Sequence, residues 1–212
     1  MTLQNPTCAC ECFDCGDTPL SGREVCANCL RDPLPRRAPA LPTDSAERKR
    51  TPLCTGLLDY FPAALTAVGE TDLERGPEAD PDEVPEYLRD RDYPMLANAA
   101  LRLLQIELTY VSPSVNGSVG LSALFDDYSA ALAAVAQVSW HGNEKHNPGL
   151  SLHHARGKSM DHADCILRHY VQRGGFDGAL RHSACLAWRA LALLQEHLES
   201  LGAPLARGAV LP

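Results

Sequence analysis

Apolar residues recur at helical spacing through most of the chain beyond residue 53. Leu96, Ala99, Leu103 and Ile106 step by three and four, which predicts a helix over 93–111 with Arg102, Gln105 and Glu107 keeping it soluble. Leu121, Leu124, Phe125, Tyr128, Leu132 and Val135 share one face of a helix predicted over 121–140. The Ala-rich stretch Leu57–Val68 predicts another, with Pro62 in its first turns. Ser159 is placed to cap a helix running to about Arg173, with Ala163, Leu167 and Tyr170 as its apolar face and Gly174-Gly175 as its stop. The last helix, Gly178–Leu201, is closed by Gly202 and Pro204. It carries Leu180, Ala184, Ala187, Trp188, Leu191 and Leu198 on one face and Cys185, Leu186 and Leu193 on another. Such a helix is expected to be buried on most sides. No alternating β pattern occurs in this part of the chain. The expected fold class is mainly α, a helical bundle, with a small N-terminal zinc-ribbon-like module.

Breaks in the pattern divide the chain. Pro33, Pro35, Pro39, Pro42 and Pro52 forbid a continuous helix, so 33–52 reads as a Pro-rich linker. Its Arg48-Lys49-Arg50 cluster reads more simply as solvated tether than as a binding patch. Residues 70–92, punctuated by Pro77, Pro81 and Pro85, read as an exposed acidic loop. Residues 112–120, with Pro113, Asn116, Gly117 and Gly120, break the helices on either side. The organisation expected is a cysteine module at 1–32, the linker at 33–52, a helical domain at 53–202 and a tail at 203–212. One internal echo is present. Leu57–Val68 and Leu124–Val135 are identical at seven of twelve positions, which Ala-rich helices reach cheaply, by coincidence or local duplication.

Composition narrows the function. The 212 residues are 45 % hydrophobic, enough for a packed core. A net charge of −8 and an aromatic content of 6 % argue against a general nucleic-acid binder. No uncharged apolar run reaches about 18 residues, so no membrane span is expected. The first residues form neither a basic leader nor an apolar core, which predicts a cytoplasmic protein with reduced thiols. Residues 70–92 alone hold ten acids against three Arg. All eight histidines lie between His141 and His197, which sets that segment apart as a place for chemistry.

Six of the nine cysteines lie within residues 1–29. Cys12/Cys15 and Cys26/Cys29 are two C-x-x-C pairs, each able to give two thiolates from one tight turn. Together they predict a structural zinc ion, because four thiolates leave no position open for water. A redox dithiol lacks its βαβ setting, and a disulfide knot lacks a secretion signal. Cys8 and Cys10 stay unassigned. A module of this kind commonly mediates protein or nucleic-acid contact, so by itself it names no activity.

In the histidine-rich part, Asp161 and Asp164 lie three apart, so two carboxylates share a helix face, as Mg²⁺ requires when phosphates and water fill its other positions. Glu144 is a third candidate Mg²⁺ ligand. The simpler reading is a solvated face with an Asp164–Arg168 ion pair. Arg156 and Lys158 flank Gly157 and suit phosphate oxygens. His182 and Arg189 lie seven apart on an inner stripe of the last helix. A buried Arg189 needs an anionic partner: Asp161, Asp164, Glu144 or a ligand phosphate. His146, His169 and His182 are the candidate acids and bases near neutral pH. A purely structural ion pair explains Arg189 equally well.

The run Gly142-Asn-Glu144-Lys145-His146-Asn147-Pro-Gly149, the Arg168-His169 pair and His182 opening an Ala-rich helix resemble the phage and bacterial dATP/dGTP diphosphohydrolase family. The resemblance covers about 121–201. It implies an all-α NTP pyrophosphatase-like core that splits a purine dNTP into monophosphate and pyrophosphate with Mg²⁺. It adds Lys145, Asn147 and Arg168 as substrate contacts. The E-x-x-E and E-x-x-D pairs of the all-α pyrophosphatases have no close match. The nearest are Asp161-x-x-Asp164 and Glu196-x-x-Glu199, the latter near a helix end. Bundles of this sort often dimerise, so a homodimer is expected. The alternative is a non-enzymatic adaptor, with the zinc module docking a partner and the helical body binding a nucleotide or protein.

Overall fold

The computed structural model describes residues 44–74, 79–109 and 120–211, all within the second of the chain's two units, Leu41–Pro212. The cysteine module expected at 1–32, with Cys12, Cys15, Cys26 and Cys29, lies outside these residues. The described chain is mainly helical, as the periodicity predicts. Its helices are α1 (Ser45–Arg48), α2 (Pro62–Glu74), α3 (Val84–Arg89), α4 (Tyr93–Thr109), α5 (Leu121–Asp127), α6 (Ser129–His146), α7 (His162–Val171) and α8 (His182–Ser200). A π-turn at Cys54–Leu58 and a 3-10 turn at Pro81–Glu83 complete the helical set. Two small sheets accompany them. β1 (His154–Ala155) pairs in parallel with β4 (Ala209–Val210), and β2 (Phe176–Asp177) pairs antiparallel with β3 (Leu180–Arg181).

Helix α8 is the axis of the bundle. It packs against α2, α4, α6 and α7. Ala184, Leu186, Ala187, Ala190, Leu191, Ala192 and Leu194 are all buried, so the expectation of a helix covered on most sides holds. Small alanines let four neighbours approach while Leu186, Leu191 and Leu194 fill the gaps. The helix starts four residues later than the pattern suggests. Residues 176–181 form the β2–β3 hairpin instead, with Gly178 at φ 61° in its tip.

Three expectations change. The acidic stretch 70–92 is helical at both ends, since α2 runs to Glu74 and the chain winds again from Pro81. Pro81 and Pro85 stand in the first turns of the 3-10 turn and of α3, where proline starts a helix rather than breaking it. Asp80 caps the first of these, its carboxylate accepting from Asp82 N at 2.9 Å. Val84 is then fully buried. The chain before residue 53 is not all tether. Asp44 caps α1, and Thr51 is buried, where it accepts a hydrogen bond from Gln137 Nε2 at 3.1 Å. The inner face of α7 is His162, Cys165 and Ile166, while Ala163 and Leu167 face solvent. The helix begins after Asp161, not Ser159. Two imidazoles of α7, His162 and His169, meet Glu196 and His182 of α8.

The helix predicted over 121–140 is two helices meeting at Tyr128. The internal echo falls on matching places: Phe61 and Tyr128 are the break residues before α2 and α6. Both helix starts are closed by distant glutamines. Gln195 Oε1 accepts from Ala63 N at 2.9 Å and Ala64 N at 3.0 Å. Gln105 Oε1 accepts from Ala131 N at 2.9 Å. Orphan N–H groups buried at a helix start need such acceptors.

Candidate functional site

The sequence candidates fall into three places. The first is the packed face between α7 and α8. His169, in the last turn of α7, and His182, the first residue of α8, meet with Nδ1 to Nδ1 at 2.9 Å. The backbone sets this up: His182 N donates to Gly175 O at 3.1 Å, folding the hairpin back on the end of α7. One proton joins two Nδ1 atoms, so one ring donates there and the other accepts. The donating ring then bears a free lone pair on Nε2, and the accepting ring bears Nε2–H. The pair thus offers a base and an acid side by side. Burial, and then the neighbouring His182, hold the His169 pKa below the ordinary histidine value, which keeps the ring neutral.

Arg189 adds the cation. Its Nη1 is inaccessible to solvent and has no hydrogen-bond partner. Among the described residues no carboxylate pairs with it. Its charge is felt by Asp161, Cys165, His169 and Cys185. Arg168 pairs with Asp161 at 3.3 Å, rather than with Asp164, and also donates to Cys165 Sγ at 2.8 Å. The hydrogen bond from Cys165, followed by that from Arg168, lowers the Asp161 pKa. Asp164, Leu167, Arg168, Val171 and Gln172 line a shallow depression open to solvent on the outer side of α7.

The fit to Mg²⁺ is narrow. Asp161, at the cap of α7, and Asp164, on its first turn, are both exposed. Asp161 Oδ2 is already engaged by Arg168 and Cys165. Among the described residues no group of three His, Cys, Asp or Glu side chains is arranged to hold a metal ion. Two carboxylates suffice only for an ion that keeps phosphate and water as its other ligands.

The second place is the end of α6. Glu144, Lys145 and His146 lie in its last turn, all exposed, and Asn147 follows with its N–H on Asn143 O at 2.7 Å. No hydrogen bond or ion pair joins Glu144 to Asp161 or Asp164 among the described residues. Lys158 is exposed in the loop before α7.

The third place is a buried ion cluster that spacing did not reveal. Arg156 is 7 % exposed and grips Glu199 with two bonds, Nε to Oε2 at 2.9 Å and Nη2 to Oε1 at 2.8 Å. The cation expected on phosphate is therefore held inside the protein by Glu199. Glu199 also accepts from Gln195 Nε2 at 2.9 Å and Ala206 N at 3.0 Å. Arg156 donates to His154 Nδ1. Since a guanidinium only donates, His154 carries its own proton on Nε2, facing Glu196 Oε1 at 3.8 Å. That tautomer does not suit a metal ligand at Nε2. His162 Nε2 lies 3.5 Å from Glu196 Oε2, and neither of its ring nitrogens has a hydrogen bond. Burial, and then Arg156, push the His154 pKa down to about 4. Burial raises Glu196 and Glu199, but the facing His162, His154 and Arg156, and for Glu199 Arg156 and Gln195, bring both net below the ordinary glutamate value.

Sequence reasoning missed Glu107. It sits on α4 and accepts from Gly174 N at 3.2 Å and from Ser183 Oγ at 2.6 Å. Nothing in its spacing marks it, because its partners are 67 and 76 residues away. The chain matches no protein-family model, no curated protein and no solved structure.

Proposed function

We propose that the α7–α8 face hydrolyses a purine deoxynucleoside triphosphate to the monophosphate and pyrophosphate. The observation that supports this most is the His169–His182 contact beside Arg189, whose buried Nη1 lacks a partner. An acid, a base and an unpaired cation together suit cleavage of a phosphoanhydride. In this reading the free Nε2 of one ring takes a proton from water as it attacks the α-phosphorus. As that ring's Nδ1 proton passes across the contact to the other ring's Nδ1, the other ring's Nε2–H protonates the departing pyrophosphate, and both rings end neutral. Arg189 and Arg168 neutralise phosphate charge. Mg²⁺ arriving with the nucleotide would be held by Asp161 and Asp164 and would offset charge on the phosphate oxygens. Lys145, Asn147 and His146 would contribute from the end of α6.

The test is chromatography of reactions with the four dNTPs and four NTPs, with Mg²⁺ or Mn²⁺ and with EDTA. Monophosphate plus pyrophosphate from a purine dNTP, abolished by EDTA, is expected. The double substitution Asp161→Ala, Asp164→Ala should abolish turnover with helicity intact; unchanged turnover removes both from the site. Orthophosphate or triphosphate as product would assign another hydrolase class.

A second reading is supported by apolar exposure. Met160, Val171 and Phe176 are 88 %, 78 % and 59 % exposed near the same face. A non-enzymatic adaptor would use such residues to dock a protein, alone or as a homodimer. No turnover with any nucleotide would favour it. A monomer by light scattering at high concentration would remove the homodimer.

A further inference from the structure

The two histidines come from different helices and are thirteen positions apart in the chain. Something must hold the intervening hairpin so that their rings meet at hydrogen-bond distance. The hairpin's own ladder is only two residues long on each side, which is weak in isolation. Glu107 reaches it from a third element. Its Oε1 accepts from Gly174 N, at the turn that leaves α7 and five residues after His169. Gly174 has φ 80°, so this N–H is aimed by a backbone that favours glycine. Its Oε2 accepts from Ser183 Oγ, on the residue next to His182, and lies 3.9 Å from Arg181 Nη1. Ser183 is fully buried, and the Glu107 side chain is 15 % exposed. One carboxylate thus closes both ends of the loop that brings His169 and His182 together, and α4 beneath it is packed along α8.

We infer that Glu107 is a positioning residue for the His169–His182 pair. It touches neither ring and fixes the two backbones that carry them. Its consequence for turnover rests on the proposed hydrolase reading; its consequence for the pair's geometry does not.

The experiment is imidazole ¹⁵N NMR on the full chain, with signals assigned through His169→Asn and His182→Asn. The unsubstituted protein should show one Nδ1–H and one unprotonated Nδ1, coupled across their hydrogen bond. Glu107→Ala should abolish the coupling. Ser183→Ala removes one of the two arms and should weaken it while the protein stays helical, even if Glu107→Ala fails to fold, whereas Glu107→Gln, whose amide can accept from Gly174 N and donate to Ser183 Oγ, should keep it. Where turnover exists, a displaced ring should lower it about 100-fold. Coupling that is absent in the unsubstituted chain, or unchanged in Ser183→Ala, overturns the inference. Coupling lost on substitution in a protein that turns over no nucleotide would keep the positioning role and remove the hydrolase reading.

Discussion

Glu199 shows how much a single side chain can organise. It accepts two hydrogen bonds from a buried Arg156, one from Gln195 and one from the Ala206 amide. Gln195 in turn closes the start of α2, so the chain from Ala63 to Ala206 hangs on two residues of α8. Removing one partner of a buried ion pair leaves the other charge uncompensated, which is worse than never having had the pair. Glu199→Ala is therefore expected to destabilise the protein by about 3 kcal/mol, measured by urea unfolding. Glu199→Gln keeps one acceptor and should lose less. A loss below about 1 kcal/mol would mean the cluster is solvated in solution. At this scale the sequence was readable in part. Beside Gly157, Arg156 reads as a contact for phosphate oxygens, but the anion it holds is Glu199, 43 residues away, and no local rule picks Glu199 over a phosphate.

Among the elements, the β1–β4 sheet joins segments far apart in the chain. β4 lies beside β1, with His154 N on Gly208 O at 2.7 Å and Arg156 N on Val210 O at 2.9 Å. Gly208 makes this possible because its Cα is pressed against Tyr60 and Asp59. A Cβ there would stand 2.8 Å from Tyr60 Cδ1 and 3.0 Å from the Asp59 carbonyl, and the second of these is backbone. Gly208→Ala should therefore detach β4 at a loss of about 1–3 kcal/mol. Hydrogen exchange should rise at the His154 and Arg156 amides while α4 and α8 remain protected; unaltered protection at both amides would show that the strand tolerates the methyl. The helices themselves were legible from period alone. Their ends were less so, because α2 and α6 are capped by Gln195 and Gln105 from far away rather than by a local Ser or Asp.

For the whole molecule, acid sensitivity follows from the buried cluster. His154 binds its proton only near pH 4 when folded, against 6.5 when free. Between these values the unfolded chain holds a proton that the folded chain does not, so stability falls as pH drops through this window and is fully present above it. Depressed Glu196 and Glu199 act in the same direction below the ordinary glutamate value of 4.5. The melting temperature should therefore drop between about pH 6.5 and about pH 4, with His154 supplying up to about 3 kcal/mol. His154→Asn, which keeps an acceptor for Arg156, should flatten that slope; an equal slope would place the acid sensitivity elsewhere. Zinc belongs to this scale too. We propose one zinc ion per chain on Cys12, Cys15, Cys26 and Cys29, and metal analysis of the purified full chain should find it and lose it on Cys12→Ser with Cys26→Ser.

Periodicity and glycine or proline placement carried the helical class and the burial of α8, because these are local properties of a 3.6-residue repeat. The same chain could not say which histidines meet. His169 and His182 form a pair, His154 and His162 face Glu196, and His146 stays exposed at the end of α6. All five look alike in one dimension. Their roles diverge because α7 turns an unexpected face inward and because Glu107, Gln195 and Glu199 reach across long loops. Such contacts form only when packing brings distant backbone together, and the free energy that selects them is a property of the assembled core rather than of any segment.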